Sequence, residues 1–246
     1  MEFEIIYIFI LGAILGSFGN VLIVRIPKEQ SIVKPPSHCP KCKTSLKFYH
    51  NIPLLSWLFL RGKCATCNQT IPYRYPLIEL LSALLFVIIY LHMGATIFAL
   101  FTALTFFLLL ILSTIDIEYK AVPDHINLPA VITALFTSSL FLNNLESALL
   151  MAGTLSMLRF FTSWFVGQEA LGEGDIIVGA TMGALLGITG SLAALFIASL
   201  IALPFGLYDR FNHQEPQIPF IPFLALGTFI IFLFGDVSTL FSYYAR

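Results

Sequence analysis

Leu171-Gly172-Glu173-Gly174-Asp175 is followed by an almost unbroken apolar run to Leu207, so an ionisable carboxylate stands beside two glycines at the mouth of a hydrophobic segment. On insertion scales a carboxylate at the centre of a membrane helix costs roughly 2.5–3.5 kcal/mol, so it is seldom left there without a use or a partner. The partner read from the sequence is Asp116. It ends another apolar run, 95–115, and opens Asp116-Ile117-Glu118-Tyr119-Lys120-Ala121-Val122-Pro123-Asp124. Two aspartates at the ends of two apolar helices point to an aspartic protease built within a bilayer.

The whole chain supports that setting. Of its 246 residues 58% are hydrophobic and only 11% charged, with 24 Phe and a mean hydropathy of +0.88, which excludes an ordinary soluble domain. Crossing a hydrocarbon core of about 30 Å takes about 20 apolar residues. The runs predict an all-α polytopic membrane protein of about eight transmembrane helices, near 5–25, 76–93, 96–115, 126–142, 145–165, 175–189, 190–207 and 220–240. The stretch 175–207 is too long for one span, and Gly187 to Ser191 offers the turn that divides it. The start, Met1-Glu2-Phe3-Glu4, lacks a basic region ahead of the first run, so that run is expected to stay as a helix.

Nine of the thirteen Lys and Arg lie from Arg25 to Arg74, where Glu29 is the only acid. The positive-inside rule makes that loop cytoplasmic and the N-terminus external. Counting spans from there brings Asp116 and Asp175 to the same, cytoplasmic, face. The net charge of −1 averages a basic loop with acidic remaining segments. Gly179, Gly183 and Gly187 recur every fourth residue, which reads as helix packing rather than a nucleotide loop, and nucleic acid is not an expected partner.

The loop 26–75 carries all four cysteines, as Cys39-Pro40-Lys41-Cys42 and Cys64-Ala65-Thr66-Cys67. Two such pairs supply four thiolates, the closed tetrahedral set of a structural zinc, in a loop too small to fold on its own core. Two disulfides or four free thiols are the competing readings, and a reducing cytoplasm opposes the former. His38 and His50 read as ordinary loop residues. In the first helix, Gly16-Ser17-Phe18-Gly19-Asn20 reads as a packing contact, with Asn20 hydrogen-bonded across to a neighbour. Glu79 follows Arg74-Tyr75-Pro76 and is either a first-turn acid favoured by the helix dipole or a polar group for a cationic ligand. Asp124 reads as an N-cap, and Arg159 as either a snorkelling cation or a neutraliser of a nearby carboxylate. Ile218-Pro219-Phe220-Ile221-Pro222-Phe223 opens the last helix and yields no chemistry.

With these residues in view the chain resembles the bacterial prepilin peptidases, the bifunctional leader peptidase and N-methyltransferase family. The resemblance rests on Gly16-Ser17-Phe18-x-Asn20-Val21, on Ile52-Pro53-x-x-Ser56 and Arg61-Gly62-x-Cys64 between the cysteine pairs, on Arg74-Tyr75-Pro76-x-x-Glu79, on Asp116-x-Glu118 with Pro123-Asp124, and on Gly172-x-Gly174-Asp175. It departs where the family commonly has a lysine two residues after its second catalytic aspartate, here Ile177, and where a glycine usually stands between the last prolines, here Ile221.

The resemblance implies catalytic Asp116 and Asp175, Gly62 and Glu79 tied to the methylation half and its cofactor, and zinc on Cys39, Cys42, Cys64 and Cys67. It implies removal of a short leader from type IV pilin-like precursors at the cytoplasmic face of the bacterial inner membrane, in pilus or type II secretion systems. Methylation of the new N-terminus with S-adenosylmethionine would follow. The expected partners are the precursor and the lipid bilayer, with no oligomeric state assigned. The domain reading is 1–25 as first membrane helix, 26–75 as a zinc-binding loop associated with methyl transfer, and 76–246 as the membrane peptidase. Two rivals are a peptidase without methyl transfer and a non-enzymatic zinc-ribbon membrane scaffold or transporter.

Overall fold

A computed structural model describes residues 2–39, 41–167, 171–212 and 218–235. Its regular elements are all helical: α1 (Glu2–Arg25), the five-residue α2 (Leu55–Phe59), α3 (Arg74–Met93), α4 (Ile97–Tyr119), α5 (Asp124–Leu135), α6 (Phe141–Val166), α7 (Glu173–Asn212) and α8 (Ile221–Phe234). The chain forms two compact units, Met1–Gly94 and Ala95–Arg246.

In the first unit α1 and α3 pack together along their lengths. The small residues singled out in the sequence make the contact: a Cβ on Gly16 would lie 2.7 Å from the Glu79 Cα, and one on Gly12 2.7 Å from the Ala83 Cα. Such closeness of two backbones is how membrane helices gain dispersion energy without a hydrophobic drive between them. Asn20 Nδ2 donates to the Tyr75 carbonyl at 3.0 Å, the cross-helix bond expected of it. Near the opposite end the Tyr90 hydroxyl donates to Glu4 Oε2 at 2.6 Å. α3 therefore belongs structurally with α1 and the cysteine loop, not with the helices that follow.

The second unit is arranged around α4. Thr96 caps it, its Oγ1 accepting from the Ala99 N–H at 3.0 Å, and Lys120 in the left-handed region ends it. Phe106, Leu109, Ile111, Leu112 and Ile115 are all buried, as a helix apolar on every side requires. Phe106 meets the rings of Phe229 and Phe232 on α8 with centroids 5.2 Å away in each case. Thr105 Oγ1 donates to Thr133 Oγ1 at 2.9 Å, joining α4 to α5 by a hydroxyl pair of the kind that holds membrane helices together.

Among the described residues, five helices are long and apolar enough to cross a membrane: Phe3–Lys28, Arg74–Met93, Ile97–Tyr119, Phe141–Phe165 and Glu173–Asp209, with Ile221–Phe234 apolar but shorter. The expectation of an all-α chain with several membrane-spanning helices is met in that coarser form, five of the about eight expected spans being long helices. The run 126–142 is not one helix, because α5 stops at Leu135 and α6 starts at Phe141. Asn144 Nδ2 donates to the Leu135 carbonyl at 3.0 Å, so a side chain satisfies an acceptor that a continuing helix would have used. The run 175–207 does break where expected: Gly187 takes φ 69° and ψ 175°, a conformation that a Cβ would strain. A Cβ on Gly187 would meet nothing within 4 Å, whereas one on Gly179 would meet Leu155 and one on Gly183 would meet Ser147 and Ala148 on α6, so of the three repeated glycines Gly179 and Gly183 are the packing positions.

Candidate active site and metal centre

Asp116 lies in the last turn of α4 and is buried, 7% exposed. Its Oδ2 accepts from the main-chain N–H of Ile221 at 3.1 Å. Ile221 opens α8, and the first N–H groups of a helix have no partner of their own, so they suit a carboxylate. Asp175 lies in the first turn of α7, half-buried, with Oδ2 accepting from the Gly172 N–H at 3.0 Å. The two carboxyl groups belong to one compact unit. Each aspartate is thus held through one oxygen, and Oδ1 of each makes no hydrogen bond among the described residues.

The loop before α7 is fixed by groups that the sequence did not single out. Asn127 on α5 is fully buried and donates through Nδ2 to the Gly174 carbonyl at 3.0 Å, while its Oδ1 has no partner among the described residues. Val122, between α4 and α5, lies where a side chain on Gly174 would go: a Cβ there would be 2.5 Å from the Val122 Cβ. Gly174 is glycine because the Val122 side chain occupies that space. The signal for both was present as the short polar link between two helices, but no periodicity or motif marks a close approach between residues about 50 positions apart.

Asp124, expected to cap α5, does not. Pro123 takes the N-cap position, and Asp124 is an exposed first-turn residue with no capping hydrogen bond. Its charge still suits the dipole. Arg159 pairs with Glu173, Nη1 to Oε1 at 3.3 Å, which selects the neutralising reading over snorkelling. With the glutamate 85% exposed, such a pair contributes at most about 1 kcal/mol.

The cysteine loop holds two copies of one turn. His38 bridges to Ser45 around the first pair and Lys63 to Thr70 around the second. The Cys39 and Cys64 N–H groups donate to Thr44 and Gln69 carbonyls at 3.0 and 2.8 Å, and Lys43 and Asn68 take the left-handed conformation at the same place in each turn. The four Sγ atoms lie within 4.8 Å of one another, with Cys39 Sγ and Cys67 Sγ 3.7 Å apart. Sulfurs around a zinc with Zn–S of about 2.3 Å stand about 3.8 Å apart, so the donor set fits the metal in type, number and spacing. Without a cation the sulfurs conflict. Hydrogen bonds from Thr44 hold the Cys42 thiol down to about 6, and the Cys67 and Thr66 amides lower Cys64. The Gln69 amide lowers Cys67 too, but burial and the neighbouring sulfurs outweigh it and push that thiol up to about 11. A divalent ion at the centre lets all four ionise.

Gly62 and Glu79 each have their own neighbours in this unit. Gly62, at φ 68°, lies under the Trp57 ring, where a Cβ would be 2.9 Å from Cζ2. Glu79 is in the second turn of α3, since that helix begins at Arg74, so the first-turn dipole reading fails. It is 8% exposed, and its Oε2 accepts from the Leu54 N–H at 2.7 Å. Leu54 sits at φ 61° and ψ −50°, which costs a bulky residue about 1–3 kcal/mol.

The family model described as Bacterial Peptidase A24 N-terminal domain matches residues 10–93, and that described as Type IV leader peptidase family matches residues 103–207. A Bacillus subtilis (strain 168) protein named prepilin leader peptidase/N-methyltransferase is 33% identical over 246 residues, 97% of this chain and 97% of its own. An Aeromonas salmonicida (strain A449) protein of the same name is 32% identical over 265 residues, 94% of this chain and 91% of its own. A Myxococcus xanthus (strain DK1622) protein so named is 40% identical over 202 residues, of which this chain spans 79% of itself and 60% of the relative. No solved structure matches the chain. Two family models met in order along one chain, and relatives similar over nearly their whole length, establish that the chain belongs to the type IV leader peptidase family.

Proposed function

We propose that the chain cleaves the leader from type IV prepilin-like precursors and N-methylates the new amino terminus, with Asp116 and Asp175 as the acid–base pair of the cleavage. The observation that carries the cleavage is the matched holding of the two carboxylates. Each is fixed through Oδ2 by one main-chain N–H, Ile221 for Asp116 and Gly172 for Asp175, with the other oxygen available to water and substrate. One carboxylate takes a proton from the attacking water while the other, protonated, donates to the scissile carbonyl oxygen; the roles reverse as the amine leaves, and no acyl-enzyme forms. The exposed backbone at Gly172 suits an extended peptide strand beside the pair.

Zinc is the metal that the thiolates of Cys39, Cys42, Cys64 and Cys67 would hold, and its contribution is to keep the loop folded. S-adenosylmethionine would supply the electrophilic methyl group to the freed amine. We read the first unit, including Gly62 and Glu79, as the methylation half and the second as the peptidase, in line with the two family models. We also keep eight membrane crossings as our reading, with α5, both limbs of α7 and α8 completing the five long spans, in the bacterial inner membrane. The basic loop, by the positive-inside rule, supports a cytoplasmic face for both activities. Pilus assembly and type II secretion are the settings that supply such precursors.

The test is mass spectrometry of a pilin-like precursor co-expressed with the chain. The reading requires loss of the leader and addition of one methyl group to the new N-terminus; an intact precursor would overturn it, and a cleaved but unmethylated product would leave the peptidase alone.

A further inference from the structure

We propose that the short helix α2 of the cysteine loop docks on the bilayer itself, setting Leu55, Leu58 and Phe59 into the lipid interface, with Arg61 and Lys63 on anionic headgroups. Positions 55, 58 and 59 are three and four residues apart, so they share one face of the helix. Their side chains are 51%, 66% and 80% exposed, whereas Trp57 is half-buried with its ring against Gly62. Ser56 gives its hydroxyl to the Ile52 carbonyl at 2.7 Å. A helix turned toward water presents its polar residues and buries its apolar ones; α2 does the reverse. The two cysteine turns beside it are of ordinary polarity, with Lys43, Thr44, Ser45, Thr66, Asn68 and Thr70 among their exposed residues.

The height of α2 on its neighbouring helix identifies what covers this face. The N–H of Leu54, the residue just ahead of α2, donates to Glu79 Oε2 at 2.7 Å. Glu79 stands five residues after Arg74, where α3 begins, and so about 7 Å along that helix. α3 is one of the helices long and apolar enough to cross a membrane. The start of α2 is therefore tied beside the opening turns of a spanning helix, not held out in water above it. That is the level at which an interfacial helix lays its apolar face about 5–10 Å into the boundary between headgroups and acyl chains. Tyr73, 76% exposed and next to the start of α3, has the amphipathic ring favoured at the same level.

Charge points to the same occupant. Arg61 and Lys63 follow α2 directly and are exposed, and Glu29 is the only acid between Arg25 and Arg74. Basic residues next to the end of a membrane helix are drawn to anionic phospholipid. An apolar face bordered by cations, at the height of the membrane surface, is complementary to anionic lipid: acyl chains under Leu55, Leu58 and Phe59, phosphates beside Arg61 and Lys63. Glu79, which takes no part in the zinc site or the aspartate pair, then serves to fix the depth of α2 through the Leu54 amide.

Photo-cross-linking of the full-length, zinc-loaded protein tests this, in nanodiscs of equimolar phosphatidylcholine and phosphatidylglycerol with a pilin-like precursor reconstituted alongside. The photoreactive p-benzoylphenylalanine replaces Phe59 in one variant and Thr66, in the second cysteine turn, in another. Mass spectrometry should find lipid adducts at position 59 at least about fivefold more abundant than at position 66. Among the adducts at 59, phosphatidylglycerol should exceed phosphatidylcholine about twofold, and Arg61→Gln with Lys63→Gln should bring the two lipids level. If the variant labelled at Phe59 fails to retain zinc, Leu58 takes its place as the labelled position. Equal lipid yields at the two positions would overturn the docking. So would adducts at 59 confined to protein, whether the precursor, a second copy or another stretch of this chain. Equal amounts of the two lipids in the protein with Arg61 and Lys63 intact would overturn the headgroup contact.

Discussion

The main-chain N–H of Ile221 donates to Asp116 Oδ2 over 3.1 Å, so the first turn of α8 holds the aspartate at the end of α4 across 105 residues of sequence. The bond uses backbone, and its removal needs proline. Ile221→Pro keeps a helix-compatible φ at the first helical position but deletes the N–H, whereas Ile221→Ala keeps the N–H and loses the same buried side chain. Loss of a hydrogen bond to a charged group, about 1.5–3 kcal/mol, predicts cleavage by Ile221→Pro roughly 10- to 100-fold below that of Ile221→Ala. Equal rates for the two variants would remove this amide from the site.

Asp116→Asn and Asp175→Asn should each lower cleavage of a purified precursor by about 10²–10⁴-fold or more while leaving the protein folded, since Asn keeps the shape but cannot exchange the proton. Asp124→Asn should retain most activity, because Asp124 is exposed and makes no capping bond. An active Asp116→Asn beside a dead Asp124→Asn would reverse the assignment.

A pair that works with one proton between its two carboxyls gives a bell-shaped pH profile for cleavage. Activity is lost on the acid side when both are protonated and no base remains, and on the alkaline side when both are ionised and no acid remains. Initial rates of precursor cleavage across the pH range measure it, and a rate that rises to a plateau with no alkaline fall would mean that a single ionised carboxylate suffices.

Gly174→Ala drives a Cβ to 2.5 Å from the Val122 Cβ, and overpacking of this kind costs about 1–3 kcal/mol or moves the loop that carries Asp175. Cleavage should fall, and the double variant with Val122→Gly should recover much of it, because the obstructing atoms are gone. Asn127→Leu should also reduce cleavage, by leaving the Gly174 carbonyl without the donor it has at 3.0 Å. Absence of rescue in the Gly174→Ala, Val122→Gly double variant would show that Gly174 is needed for something other than space.

Metal analysis of the purified, reduced chain should find about one zinc, and Cys39→Ser with Cys42→Ser should lose it. Methylation should then fall more than cleavage, since the cysteines lie in the first compact unit and both aspartates in the second. Acidification should release the metal as the thiolates take up protons, measurable by a zinc-sensitive dye. Zinc absent from an active preparation, or equal loss of both activities in a folded variant, would contradict this.

Composition alone made the chain an all-helical membrane protein, because only helices and closed barrels satisfy their backbone in lipid and the apolar runs are long. The cysteine pairs, Asp116, Asp175, the packing of Gly16 and Asn20 and the break at Gly187 were equally legible, since each depends on residue type and local spacing. What only the tertiary structure decided depends on residues distant in sequence. Asn144 ends α5 early, so the run 126–142 is not one helix; Asn127 and Val122 shape the Gly174 turn; Glu79 reaches back 25 residues to the Leu54 amide; and the final segment, which offered no chemistry, supplies the N–H at Asp116. Periodicity reports how one helix divides its faces, but a main-chain donor carries no residue identity, and which carboxylate it meets is fixed only when the helices pack.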